Sequence, residues 1–245
     1  MESFEKSRIA GSIAAGALDE VAKIIKPGLK TVSIDDLCYE YFNDHGAYSA
    51  PLFYRGFPKS CCTSTNHVVC HGIPSDKILH EGDIVNVDVT AFKDGWHGDT
   101  SRTFEIGEVS VKAKKLVKTT FEAMMKAIEI VKNDINLGDI GETIQSYVEA
   151  KGFSVVQDFC GHGIGKLFHQ EPNVLHYGKK GSGEKIKTGM IFTIEPMINL
   201  GNYETKTLND GWTAVTKDKS LSAQFEHTIG VTNDGCEVFT LSKNK

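Results

Sequence analysis

The feature that most restricts how this chain can fold is that it contains itself twice. Displacing the sequence by 106 positions lays Ser33 on Asp139, Ile34 on Ile140, Asp36 on Glu142, Tyr41 on Tyr147 and Gly46 on Gly152. A displacement of 107 lays GDIVNVD on GMIFTIE, so Asp88 falls on Glu195. With other offsets, Asp99-Thr100 matches Glu226-His227, and His71-Gly72-Ile73 matches His162-Gly163-Ile164. Each match alone is weak, but their order along the chain is shared. Two related halves, about 5–107 and 108–240, are therefore expected around one pseudo-twofold axis. No low-complexity linker marks the seam, which favours one domain over 1–245 built from two halves.

Each half reads as helix, helix, then hairpin. Ile9, Ile13, Ala17, Val21 and Ile24 or Ile25 recur at helical spacing until Pro27-Gly28. Ser33 with Asp36 resembles a capping box opening a second helix that ends near His45-Gly46. Residues 82–107 read as a β-hairpin about Lys93-Asp94-Gly95. A third helix over 112–131 presents Leu116, Phe121, Met124, Ile128 and Val131, and Asp139 with Glu142 caps a fourth. Strands over 188–198 and 224–235 complete the second half. The mixture is an α/β (α+β) chain.

The hairpin places Val85, Val87 and Val89 on one face and Asn86, Asp88 and Thr90 on the other. If Phe92 pairs with Gly95, Asp88 lies opposite Asp99. Two solvated carboxylates beside a turn would be the ordinary reading, yet Asp88 follows a strongly apolar strand where an unpaired charge is costly. Glu195 in FTIEPMI and Glu226 in AQFEHTIGV repeat the arrangement. Four carboxylates gathered by pseudo-symmetry need about two divalent cations between them. His162, flanked by glycines in FCGHGIGKLFH, is the natural nitrogen donor. One imidazole with four carboxylates suits Mn, Fe, Co or Zn. Such a pair of ions acidifies water and polarises a carbonyl, which is the chemistry of hydrolysis.

Other chemistries fit poorly. GHGIG matches neither a dinucleotide nor a P-loop pattern, and no serine or cysteine elbow is present. Cys70 precedes His71, but adjacent side chains point apart in an extended segment, so Cys70 reads as a core thiol. The net charge of −5 argues against general nucleic-acid or specific DNA binding. No apolar run approaches the roughly 20 residues of a membrane span. Six cysteines without CxxC pairing and a charged N-terminus fit a cytoplasmic protein.

CHGIP, NVDVT, DGWHGDTSRTF, GHGIGKLFH, FTIEP and AQFEHTI together resemble the motif set of the type I methionine aminopeptidases, from about residue 5 to about 240. The resemblance implies the pita-bread fold, with curved antiparallel strands inside and helices outside. It also implies removal of the initiator methionine from nascent polypeptides with a small second residue. By resemblance, Asp88, Asp99, His162, Glu195 and Glu226 hold two divalent metals, Asp99 and Glu226 bridging, and Glu195 also accepts the proton. His71 contacts the scissile amide or leaving nitrogen, and His169 stabilises the oxyanion. Tyr54, Phe57, Cys62, Phe168 and Trp212 form the methionine pocket; large aromatics there otherwise read as core. A monovalent cation and a monomeric state are further expectations. Pro51, Arg55 and His67 depart from the common pattern, which bears on substrate preference. The chain is most similar to the short bacterial or organellar form, lacking the extra domain of Xaa-Pro peptidases; a catalytically silent binding protein is the other alternative. Lysines around 179–187 and 206–219 read as solvated loops, with transient ribosome contact as the functional alternative.

Overall fold

The computed structural model describes residues 2–242. Helices α1 (Glu2–Ile24) and α2 (Thr31–Asp44) lead into β1 (Tyr48–Ser49), a 3-10 turn (Tyr54–Gly56), β2 (Cys62–Thr65), β3 (Val68–Cys70), β4 (Ile84–Lys93) and β5 (Trp96–Glu105). Helices α3 (Val111–Ile130) and α4 (Leu137–Glu149) follow, then β6 (Ser154–Val155), β7 (Gly161–Gly163), β8 (Gln170–Val174) and β9 (Ile191–Ile194). The remaining strands are β10 (Met197–Asn199), β11 (Thr205–Thr207), β12 (Ala214–Thr216), β13 (Ser222–Gln224), β14 (Glu226–Val231) and β15 (Cys236–Val238).

Strands β4 and β5 form the expected hairpin. Its two-residue turn is Asp94-Gly95, both residues left-handed (φ 49° and 83°), the turn whose twist suits a hairpin. This sets the register at Lys93↔Trp96, so Thr90 faces Asp99 and Asp88 faces Ser101. The expected Asp88–Asp99 opposition is therefore wrong by two residues. A shift of two keeps both side chains on one face, where Asp88 and Asp99 become diagonal neighbours.

The main antiparallel sheet runs β1-β4-β5-β14-β9-β7-β8, with β2 on β4 and β15 on β14. The halves meet at β5 and β14, where Ser101 pairs with Glu226 and Thr100 with His227. Strand β14 then pairs with β9, His227 against Ile194. The second half does not make a tight hairpin. Both expected strands break, at Glu195-Pro196 and at Phe225, and their outer pieces β10 and β13 pair in a separate sheet. Pro196 has no N–H for the ladder, so the strand stops there.

Helices α1 and α2 cover the valine face of β4, around Val85, Val87, Val89, Leu18 and Ile34. Helices α3 and α4 cover the other half, around Leu116, Ile140, Phe192, Ile194 and Ile229. Helix α1 buries Ala10, Ala14, Ala17 and Val21, while Ile9, expected on that stripe, is 41% exposed. The cause is close approach: a Cβ on Gly98 of β5 would lie 2.3 Å from the backbone nitrogen of Gly11. Likewise Phe121 of α3 is exposed while Leu116, Met124, Ile128 and Val131 are buried. The expected caps also shift. Helix α2 begins at Thr31, held by Thr31 N–H on Lys77 O and Val32 N–H on Ser75 O, so Ser33 is already inside it. Asn136 is the N-cap of α4, and Asp139 accepts its N–H at 2.9 Å.

Candidate metal centre

Four consecutive strands each deliver one carboxylate to the same region: Asp88 on β4, Asp99 on β5, Glu226 on β14 and Glu195 at the end of β9. Side chains lace the seam between the halves. Thr228 Oγ1 accepts Asp99 N–H (3.0 Å) and donates to Asp99 O (2.7 Å), and Thr100 Oγ1 donates to Glu226 O (2.7 Å). Asn86 Nδ2 (2.8 Å) and Thr103 Oγ1 (2.6 Å) both donate to Gln224 O. These contacts fix where Asp99 and Glu226 leave the backbone.

His162 comes from β7, next to β9. Its flanking glycines permit close strand packing: a Cβ on Gly161 would lie 2.4 Å from Thr193 O, and one on Gly163 2.2 Å from Glu171 O. These glycines therefore serve close approach to the neighbouring strands. His162 Nδ1–H donates to Gly163 O at 3.1 Å, leaving the lone pair on Nε2. Nε2 lies 3.6 Å from Asp99 Oδ2 and 3.7 Å from Glu195 Oε1. One donor atom each of Asp99, His162 and Glu226 lies within 4.8 Å of the others.

The carboxylates are individually oriented. Thr90 Oγ1 donates to Asp99 Oδ1 at 2.7 Å. Thr193 Oγ1 donates to Glu195 Oε1 at 2.7 Å and accepts the N–H of His162 at 3.0 Å. Gln224 Nε2 reaches Glu195 Oε2 at 3.4 Å, and the buried His176 Nε2 accepts Glu195 N–H at 3.1 Å. Sequence reading missed Thr90, Thr193, His176 and Gln224. Thr90 and Thr193 could have been found, since each stands two residues from one of the cavity's carboxylates on the same strand face.

Burial pushes the Asp88 carboxyl up to about 7 and that of Glu195 up to about 8. Asp99 and Glu226 stand well above the usual carboxylate range, through burial first and then through repulsion, from Asp88 on Asp99 and from Asp99 on Glu226. Burial pushes His162 down to about 4, so its imidazole is neutral at pH 7. A neutral nitrogen donor among four carboxylates that resist ionising without a cation is the donor set of a hard to borderline divalent ion. The residues present fit such ions.

All five lie on one cavity of about 350 Å³. The same cavity is lined by His71, His169, Tyr54, Phe57, Cys62, Phe168 and Trp212. Tyr54 stacks on His169 (5.2 Å between ring centres), and Tyr54 Oη shares a 3.1 Å hydrogen bond with His169 Nδ1. Phe57 meets Trp212 edge-on at 5.2 Å. Burial lowers the pKa of His71; burial, then His162 and Arg55, lowers that of His169. Cys70 is buried as expected, but it lines the cavity together with His71. His71 has φ 56°, which breaks the extended alternation that would have turned them apart.

Residues 5–233 match the profile of metallopeptidase family M24. The chain belongs to that family. Among M24 relatives, it is 57% identical to the methionine aminopeptidase of Rickettsia prowazekii (strain Madrid E), over all of this chain and 95% of the relative. The crystal structure of methionine aminopeptidase from Rickettsia prowazekii superposes with a TM-score of 0.97 at 57% identity, covering 98% of this chain and 97% of that one. The prolidase from Pyrococcus furiosus shares the fold at a TM-score of 0.80 and 21% identity, covering 99% of this chain but 65% of its own. The M24 fold here is thus the pita-bread arrangement expected from the motifs. Membership in M24 and the Asp99–His162–Glu226 group together support binding of a divalent metal. Among the described residues, no helix of this M24 chain is long and apolar enough to cross a membrane.

Proposed function

We propose that this metallo-aminopeptidase removes the initiator methionine from polypeptides whose second residue is small. One observation carries the reading: the five-donor cluster and the aromatic–thiol pocket open into the same cavity. Asp88, Asp99, His162, Glu195 and Glu226 would hold two ions from among Mn, Fe, Co and Zn, with Asp99 and Glu226 shared; a monovalent cation is a further expectation. When bound, the ions supply Lewis acidity, acidifying water and polarising the scissile carbonyl.

The remaining work falls to the chain. Glu195 accepts the proton of the attacking water, its carboxylate held by Thr193 on Oε1 and by Gln224 on Oε2. His71 and His169 are neutral at pH 7 and can donate N–H hydrogen bonds without a charge penalty. With Tyr54 donating to His169 Nδ1, Nε2 keeps its proton and serves the oxyanion. His71 serves the leaving nitrogen. Tyr54, Phe57, Cys62, Phe168 and Trp212 receive the methionine side chain, whose thioether favours aromatic neighbours. Both halves supply donors, Asp88 and Asp99 from the first and His162, Glu195 and Glu226 from the second, so the chain over 1–245 acts as one catalytic unit. We place the enzyme in the cytoplasm as a monomer acting on nascent N-termini, with its lysine-rich loops available for transient ribosome contact.

Metal-reconstituted enzyme is expected to release methionine from Met-Ala-Ser, and to fail on Met-Lys and Xaa-Pro peptides, with free amino acid measured directly. Equal release from Xaa-Pro peptides would move the activity to the prolidase branch. No release with any of the four metals would favour a binding protein.

A further inference from the structure

The segment between β1 and β2 forms one lip of the cavity and has an unusual backbone. Phe53 (φ 66°) and Arg55 (φ 49°) are both left-handed, a conformation that side chains with a Cβ rarely adopt. Phe53 is 78% exposed, so burial does not offset that strain. Hydrogen bonds within the segment hold it: Phe53 N–H to Phe57 O (2.8 Å), Tyr54 N–H to Pro51 O (2.9 Å) and Gly56 N–H to Phe53 O (3.2 Å). Strain kept at an exposed loop points to what the loop presents. Here it turns Tyr54 inward, against Phe168 and His169, and lays the Arg55 guanidinium 5.3 Å from the centre of the Tyr54 ring.

Arg55 lines the cavity, is exposed, and enters no ion pair among the described residues. The rim beside His71 is different. There Phe159 touches His71 (5.5 Å between ring centres), and the acid beside it, Asp158, is engaged by Thr205 Oγ1 at 2.6 Å. The mouth therefore offers one uncommitted cation, on the His169 side.

An extended substrate fixes what meets that cation. Side chains of an extended chain alternate, so the first and third residues point the same way, about 7 Å apart. The first side chain lies in the pocket walled by Tyr54 and Phe57, and the next lip residue outward from Tyr54 is Arg55. We infer that Arg55 is a specificity-determining subsite that selects a carboxylate side chain on the third residue of the polypeptide substrate. A guanidinium matches a carboxylate with two parallel hydrogen bonds. The inference rests on the aminopeptidase reading above.

The test compares peptides Met-Ala-Xaa-Ser, with Xaa being Glu, Gln or Lys, on metal-reconstituted enzyme at low ionic strength. The expected order of kcat/KM is Glu, Gln, Lys, expressed mainly in KM, with a Glu-to-Lys ratio of about three to ten, the scale of an exposed charge pair. The ratio should shrink at high salt, fall to near one in Arg55→Gln, persist in Arg55→Lys and invert in Arg55→Glu. Because each variant is read as a ratio between peptides, changes in its overall rate cancel. A ratio of one in the unmodified enzyme, or a ratio retained in Arg55→Gln, overturns the subsite while leaving methionine release intact. No release from any of the three peptides overturns the aminopeptidase reading, and the subsite with it.

Discussion

Thr193 does more for the centre than its chemistry suggests. A single hydroxyl orients Glu195 and anchors the backbone of His162, two of the proposed ligands, which leave the fold from different strands. Thr193→Val is therefore expected to weaken metal binding by about 10- to 100-fold, the usual effect of removing a ligand's own partner, with Thr193→Ser retaining most of it; calorimetric titration reads both. The pH response follows from the same residues. Carboxyls raised in the fold, Asp88 to about 7 and Glu195 to about 8, favour the folded state fully below their unfolded values near 4 and lose that contribution as pH rises through 7 to 8. The buried histidines work oppositely: His162, His176 and His227, lowered to about 4, 3 and 4, stabilise above about 6.5 and lose this as pH falls. Above pH 6.5 the histidine contribution is complete, so chelated protein should lose Tm between pH 6.5 and 8. Metal-loaded protein, its carboxylates already ionised, should not. The residues that carry charge were legible because their neighbours are so apolar. Thr193 and His176 were not, since a hydroxyl or imidazole that orients another side chain looks like any other until the fold brings the two together.

Elements were legible where periodicity acts locally and less so where one element presses on another. The β4–β5 hairpin announced itself through alternation and Asp94-Gly95, yet its register was settled only by which two residues occupy the turn. Helix α1 was found, but the face it buries is set by β5 lying against Gly11, which no pattern within the helix discloses. That contact is testable. Gly98→Ala would drive a methyl into backbone that cannot yield. The expected cost is about 1–3 kcal/mol, as for overpacked cores, seen as a lower denaturant midpoint. Because Gly98 precedes Asp99, metal affinity should fall in the same variant.

Across the whole molecule, the internal repeat led to an expectation of two related halves, and the sheet order runs β4-β5-β14-β9 through their junction. The repeat did not foretell the excursion through β10–β13, which has no counterpart in the first half and supplies Trp212 and Gln224 to the cavity. A ligand that binds only the folded state at a hundred times its Kd adds about 2.7 kcal/mol, or about 5–10 °C of Tm for a chain of this size. Reconstitution should raise Tm by that amount in scanning calorimetry. The seam explains why this effect is global. Only two residue pairs register between β5 and β14, and threonine and asparagine side chains make up the rest. Two of the cavity's carboxylates stand on each side of that joint, Asp88 with Asp99 and Glu195 with Glu226. Divalent ions held there would act as rivets as well as reagents: loading them would fasten one side of the joint to the other, and a chelator that silences the enzyme would loosen it.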